Sequence, residues 1–426
     1  MHQPTINSAS SIKKSLILPI PYLLCLTGFV LPFSIAASNV LLGMALLLSI
    51  VTAHWWLGAR SLWQQHRSLI TVWLVYMALL VLGMAWSSDM ARGLVILSKQ
   101  WSWLILPVFF IAFSQNIWRE RLFYSVSAGL TLHLFLCVAQ SQGVPLPVAA
   151  PGGSSADDPS GLIGHIGFGL IYGMWAAWLI HYGWLQQHWR RYLPWALAVF
   201  AIIMIFTVQG RSGYLVTLAL LALLIWKLGI QSISLRIRLI ISIVAITILA
   251  AAWISNVFPG KDRITETMQS VEAFSQGDFQ HAEVRWSIWY AAWESWKQAP
   301  VLGVGTGGFP LAAHQVQLQH PSLVYEGVAY PAHPHNMYLM DLARWGPVGL
   351  ILLLLLFWFW FHTDRNRGWA YQHGCLVSIS AMALFVHGFS APSLEEYYGS
   401  IYAAIYLAVG LAAYQSNVSG SANNAA

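Results

Sequence analysis

Residues 346–362 read Gly-Pro-Val-Gly-Leu-Ile-Leu-Leu-Leu-Leu-Leu-Phe-Trp-Phe-Trp-Phe-His. No side chain before His362 in this run can carry a charge. Wound into a helix, the run is apolar on every face, so none is left for water. A helix of that kind belongs in a membrane or in the middle of a large protein. A bilayer core about 30 Å thick takes about 20 such residues. The run decides the fold because it recurs. Comparable stretches lie near 16–35, 38–57, 69–86, 94–114, 121–140, 161–182, 193–209, 213–230, 239–256, 374–391 and 398–414. The expectation is an all-α polytopic membrane protein of about twelve transmembrane helices.

Composition agrees. Of 426 residues 58% are hydrophobic and 8% charged, against about 25% charged in a soluble domain. That polar surface is too small to cover a water-exposed globule. The 23 Trp and 17 Tyr suit aromatic belts at the interfaces. Cys25, Cys137 and Cys375 lie inside apolar runs, with neither metal spacing nor a disulfide framework. Lys13 and Lys14 precede the first run as they would in a signal peptide. No small-residue cleavage site follows, so the run is expected to be a retained helix.

The net charge of +6 looks like a nucleic-acid signal, but its distribution reads as topology. With the N-terminus inside, the cytoplasmic loops receive Lys13, Lys14, Arg60, Arg67, Arg119, Arg121, Arg190, Arg191, Lys227, Arg236, Arg238, Arg365 and Arg367. Most remaining cations fall in or beside one long loop, which the positive-inside rule does not count. Both termini are therefore expected in the cytoplasm, and no nucleic-acid partner. The layout is 1–254 with nine helices, 255–345 as a large outer loop, and 346–426 with three helices and a tail. With no eukaryotic features, the outside is read as the periplasm of a bacterial inner membrane. A second outer segment, about 141–160, is rich in Gly, Pro and Ser, holds Asp157 and Asp158, and reads as a mobile loop.

Several residues on the outer side need explaining. Arg211, in Gln209-Gly210-Arg211-Ser212-Gly213, separates two apolar runs at a connection too short to be a loop. It either snorkels to headgroups or binds a ligand, since intramembrane charge is usually functional and flanking glycines admit close approach. Lys99, followed by Gln100, Trp101 and Trp103, carries the same two readings. In the long loop Trp286, Trp289, Trp293 and Trp296 form one stripe of an amphipathic helix that Pro300 ends. That stripe is expected at the membrane surface or against the bundle. Arg285 starts this helix, where a cation opposes the macrodipole and a nearby anion would relieve it.

Gly303-Val304-Gly305-Thr306-Gly307-Gly308 formally contains G-x-G-x-x-G. A helix rather than a strand precedes it, which excludes a dinucleotide site. A tight turn and a backbone cradle for phosphate both remain. In His333-Pro334-His335-Asn336-Met337, Asn336 is a good N-cap for a helix from Met337. The positive end of that helix favours a neutral His335 and anionic ligands. His335 reads as a general base, as a loop residue without a role, or as a zinc ligand with His333, His314 or His320. Zinc fits poorly, because no Cys or tight carboxylate set completes the ligands. Cations, a Gly-rich turn and a capped histidine on one side suit an anionic lipid-linked donor and a hydroxyl acceptor.

Three pieces in this order resemble the bacterial O-antigen ligases (WaaL type), within the wider O-antigen ligase/polymerase superfamily. They are Gly210-Arg211-Ser212-Gly213; Arg285 with its tryptophans, Pro300 and Gly303-Val304-Gly305; and His335-Asn336-x-x-Leu339 with Gly346-x-x-Gly349. The resemblance implies a glycosyltransferase of GT-C-like membrane architecture that needs no metal or other cofactor. It would move a polysaccharide from undecaprenyl diphosphate to lipid A–core. It implies His335 as base and Arg211 and Arg285 on the diphosphate, with Asn336, Gly210, Gly303 and Gly305 in support. Lys99 as a further phosphate contact is our extension.

Rival readings make different demands. A polymerase would share the donor but divides its outer residues between two sizeable loops. A protein O-oligosaccharyltransferase is expected to carry extra C-terminal sequence, and here a Ser/Asn/Ala tail follows the last run. A polyprenyl-linked glycan transporter predicts midplane charges and broken helices in paired halves, whereas the candidate charges gather on one side.

Overall fold

The computed structural model describes residues 16–146, 154–229, 261–279, 283–323, 331–364 and 368–423. Among these, the regular elements are helices. In chain order they are α1 (Pro19–Val30), α2 (Ile35–Val51), α3 (His54–Gln65), α4 (Arg67–Leu82), α5 (Met90–Lys99), α6 (Leu106–Ala112), α7 (Asn116–Ser141) and α8 (His165–Leu185). There follow α9 (Tyr192–Thr207), α10 (Arg211–Leu224), α11 (Lys261–Ser275), α12 (Val284–Gln298), α13 (Phe309–Gln319), α14 (Met337–Asp364), α15 (Leu376–His387) and α16 (Tyr397–Asn423).

The chain is a multi-pass membrane protein. Seven helices are long and apolar enough to span a bilayer, or up to eight if one bent pair is a single span. They match the sequence expectation within a few residues at 69–86, 94–114, 121–140, 193–209, 213–230 and 398–414. Three of the other runs differ, and one is not described. The run expected at 38–57 is α2 followed by an 86° bend into α3. The runs at 16–35 and 374–391 hold the shorter helices α1 and α15. The run at 239–256 lies outside the described residues.

Burial sorts these helices. From Phe168 to Leu179 every residue of α8 is buried, and so is Ile401–Ala413 of α16. These two form the centre, with α9, α10 and α15 packed on α8 and with α6 and α15 packed on α16. Helix α4 and the span that holds α9 bury only 28% of their apolar windows, leaving the rest to lipid. One close crossing positions the site. A Cβ on Gly213 would meet the Gly169 Cα at 2.6 Å, so α10 touches α8 backbone to backbone. Small residues permit such crossings between membrane helices, and this one brings the first turn of α10, with Arg211, against the start of α8.

The boundary expected at residue 345 falls at a break between two helical segments. Helix α14 starts at Met337 and runs through to Asp364, broken at Gly346 (φ 63°, ψ −157°) beside Pro347. The break strips the carbonyls of Ala343 and Arg344 of their helical donors. The Gly-rich turn replaces those donors: Val304 N–H donates to Ala343 O and Gly305 N–H to Arg344 O, both at 2.9 Å. Thr306 N–H donates to Gly83 O. Gly303 (φ 64°) and Gly305 (φ 80°) occupy the left-handed region, and a Cβ on Gly303 would lie 2.3 Å from the Arg344 carbonyl carbon. Of the two readings of this turn, the structure has the tight turn, with three of its N–H groups engaged by protein carbonyls.

The packing of α12 selects between the two places expected for its tryptophan stripe. Its buried face is Ser287, Ile288, Ala291, Ala292 and Ser295, which meets α13 and α14. Small side chains let these helices approach closely. The tryptophan stripe is left at the edge, with Trp293 43% exposed, as suits a membrane surface rather than the bundle.

Candidate functional site

Arg211 is the first residue of α10, after Gly210, whose own Cβ would meet the His165 carbonyl oxygen at 2.5 Å. Its Nη1 donates to Glu283 Oε2 at 2.9 Å. Glu283 directly precedes α12, and its other oxygen, Oε1, lies 3.6 Å from Arg285 Nε. The two arginines therefore converge on one carboxylate, through one oxygen each. All three side chains remain about one-third exposed, at 32% for Arg211, 33% for Arg285 and 34% for Glu283. The anion that the start of α12 calls for is thus partly supplied by Glu283.

His335 stands next to this group. Asn336 Oδ1 accepts from the N–H groups of Tyr338 and Leu339, both at 3.0 Å, and so caps α14. Met337 N–H donates to Gly388 O at 2.7 Å, fixing the helix start to the end of α15. These ties hold His335 at φ 51°, a left-handed conformation that costs a non-glycine residue energy. Its ring packs edge-on against His333 at 4.3 Å. Burial, and then the charge of Arg285, push the His335 pKa below its ordinary value. Burial, joined by His335, Arg344, Lys99 and Arg92, pushes His333 down to about 3. Both rings are neutral at pH 7, and His335 Nδ1 is buried with no hydrogen-bond partner among the described residues. A neutral imidazole with one uncommitted nitrogen can accept a proton.

Lys99, at the end of α5, is exposed and does not join the Glu283 pair. Its charge acts on His333 and on Glu396, whose pKa burial raises to about 7 against the pull of Lys99. Gly303 and Gly305 lie in the turn that caps the break in α14, against Ala343 and Arg344. Arg344, counted from sequence with the outer cations, is buried and paired through both Nη atoms with Glu395. Among the described residues no group of three or more His, Cys, Asp or Glu is placed to hold a metal ion.

Several contributors were not singled out from sequence. Glu283 is one. Asp158 is another: its Oδ1 accepts from Gln209 N–H at 2.9 Å and its Oδ2 lies 3.0 Å from His165 Nδ1. With Ser154 bonded to Gln140, this ties down the second half of a segment expected to be a mobile loop. The proximity of Asp158 to Gln209-Gly210-Arg211 had no local signal. The pairing of Glu283 with Arg211 spans 72 residues. In hindsight its spacing of two from Arg285, at a helix start, was the available hint.

The fold defines a class, a polytopic helical membrane protein, and in it two arginines meet on one carboxylate with a histidine close by. Residues 196–354 match the family model described as O-Antigen ligase. The matched segment carries Arg211, Arg285, His335 and Gly346-x-x-Gly349, and the match does not separate ligase from polymerase. No curated protein matches the chain.

Proposed function

We propose that the protein is an O-antigen ligase, which transfers O-antigen polysaccharide from undecaprenyl diphosphate to lipid A–core at the periplasmic face of a bacterial inner membrane. The observation that carries this reading is the meeting of Arg211 and Arg285 on one carboxylate beside a neutral His335. Guanidinium groups recognise phosphate through paired hydrogen bonds. Fixed in a partly dry cleft, they stabilise the charge that grows on a departing diphosphate.

In the proposed step an acceptor hydroxyl oxygen attacks the anomeric carbon of the donor sugar. The bond from that carbon to the phosphate oxygen breaks, and undecaprenyl diphosphate leaves with the electron pair. The hydroxyl proton passes to the His335 ring. A single in-line displacement inverts the anomeric centre. Lys99, whose charge acts on His333, serves as a further phosphate contact. Asn336 and the Gly303–Gly305 turn hold His335 in place. The step as written uses no nucleotide and no metal, and a chelator that stopped transfer would overturn that part.

The test is transfer in vitro by purified protein, with undecaprenyl-diphosphate-linked glycan and lipid A–core, read as a gel shift of the core. Wild type is expected to shift the core and His335→Ala to leave it unshifted. Lengthened lipid-linked chains from donor alone, with no shift of the core, would make the protein a polymerase.

A further inference from the structure

We propose that Glu283 is a placeholder anion: it holds Arg211 and Arg285 together while the site is empty, and the donor's diphosphate displaces it. This rests on the diphosphate reading above. A carboxylate presents two oxygens much as a phosphate does, and here each oxygen faces a different arginine. Without an anion between them the two guanidiniums would repel each other. Glu283 stands in the capping position of α12 yet its side chain caps none of that helix's backbone N–H groups; its carboxylate turns to the arginines instead.

The surroundings suit exchange. The Glu283 backbone is held, with its N–H donating to Ser270 Oγ and its carbonyl accepting from Trp286 N–H. The carboxylate can therefore swing away by side-chain rotation while α12 stays in place. With each member about one-third exposed, the ion pair is screened by solvent and weak. A diphosphate brings more charge and more acceptor oxygens to the same two forks. Glu283 then competes with the donor and also keeps the arginines arranged for it. These two roles separate by substitution: glutamine keeps the shape and hydrogen bonding but removes the charge.

The experiment is calorimetric titration of the purified full-length protein with inorganic pyrophosphate at low ionic strength. Glu283→Gln is expected to tighten binding about fivefold, the scale of losing one exposed ionic competitor. Glu283→Ala, which also loses the arrangement, should gain less. In Arg211→Ala the added Glu283→Gln change should gain nothing, because the effect runs through the arginines. Unchanged or weaker binding in Glu283→Gln, with the thermal midpoint of wild type, would overturn the proposal while leaving an arginine-dependent diphosphate site standing. Pyrophosphate binding that is absent, or indifferent to Arg211→Ala, would remove the diphosphate reading and this inference with it.

Discussion

The two ends of α7 carry similar chemistry in different states. At the Asn116 end Glu120 receives a hydrogen bond from Tyr182 at 2.8 Å and lies 3.0 Å from His373 Nε2. Arg119 donates to the carbonyls of Phe113 and Ser114, closing the chain end after α6. A cavity of about 920 Å³ opens there, walled by Phe123, Leu132 and Leu197 with Glu120 and Arg190 among its polar groups. Near the Ser141 end lies the group of Arg211, Arg285, Glu283 and His335. Each end holds a histidine with one ring nitrogen lacking a partner among the described residues. What differs is access. The His373 side chain is 1% exposed and faces an engaged carboxylate, whereas the arginine pair is about one-third open and shares the Glu283 carboxylate. A cavity with a nearby charge and a histidine does not by itself make a site; reachable cations that converge do.

The sharpest way to break this comparison is to remove one arginine from each end. Arg211→Ala should lower transfer about 100- to 1000-fold, the scale of losing a group that stabilises transition-state charge. Arg119→Ala should cost about 1–3 kcal/mol through its two abandoned carbonyls and change the rate per folded molecule little. Thermal unfolding and initial rates on both variants check this. Next in size is the turn that caps the break in α14. Gly303→Ala puts a Cβ against the Arg344 carbonyl in a left-handed turn and should destabilise the fold by about 1–3 kcal/mol, read as a lower thermal midpoint.

The smallest expected effect is in pH. A base must be neutral to act, and His335 titrates below its ordinary 6.5. Transfer should therefore hold at pH 6.5 and fall only as pH drops through the lowered value. Arg285→Gln removes one of the two causes of the shift, so its acid limb should move upward. A limb that stays in place in this variant would detach Arg285 from His335.

What the sequence made legible is local. The apolar runs, the Asn336 cap, the end of α12 before Pro300 and the tight turn at Gly303–Gly308 each follow from neighbouring residues, through helix periodicity, capping or glycine geometry. What stayed hidden depends on which helices meet. The pairing of Arg211 with Glu283, of Arg344 with Glu395 and of Tyr76 with Asp341 joins residues far apart in sequence. The tryptophan stripe of α12 was visible as a stripe, but amphipathicity does not say which face finds a partner. The small-residue face won because it lets α12 lie close to α13 and α14. The bend between α2 and α3 likewise falls inside what reads as one hydrophobic run.

The central claim is that Arg211 and Arg285 bind the diphosphate while His335 performs the proton transfer. It is tested most directly by measuring pyrophosphate affinity and glycan transfer side by side on His335→Ala. The account predicts wild-type affinity with transfer abolished. Transfer that survives in this variant would contradict it.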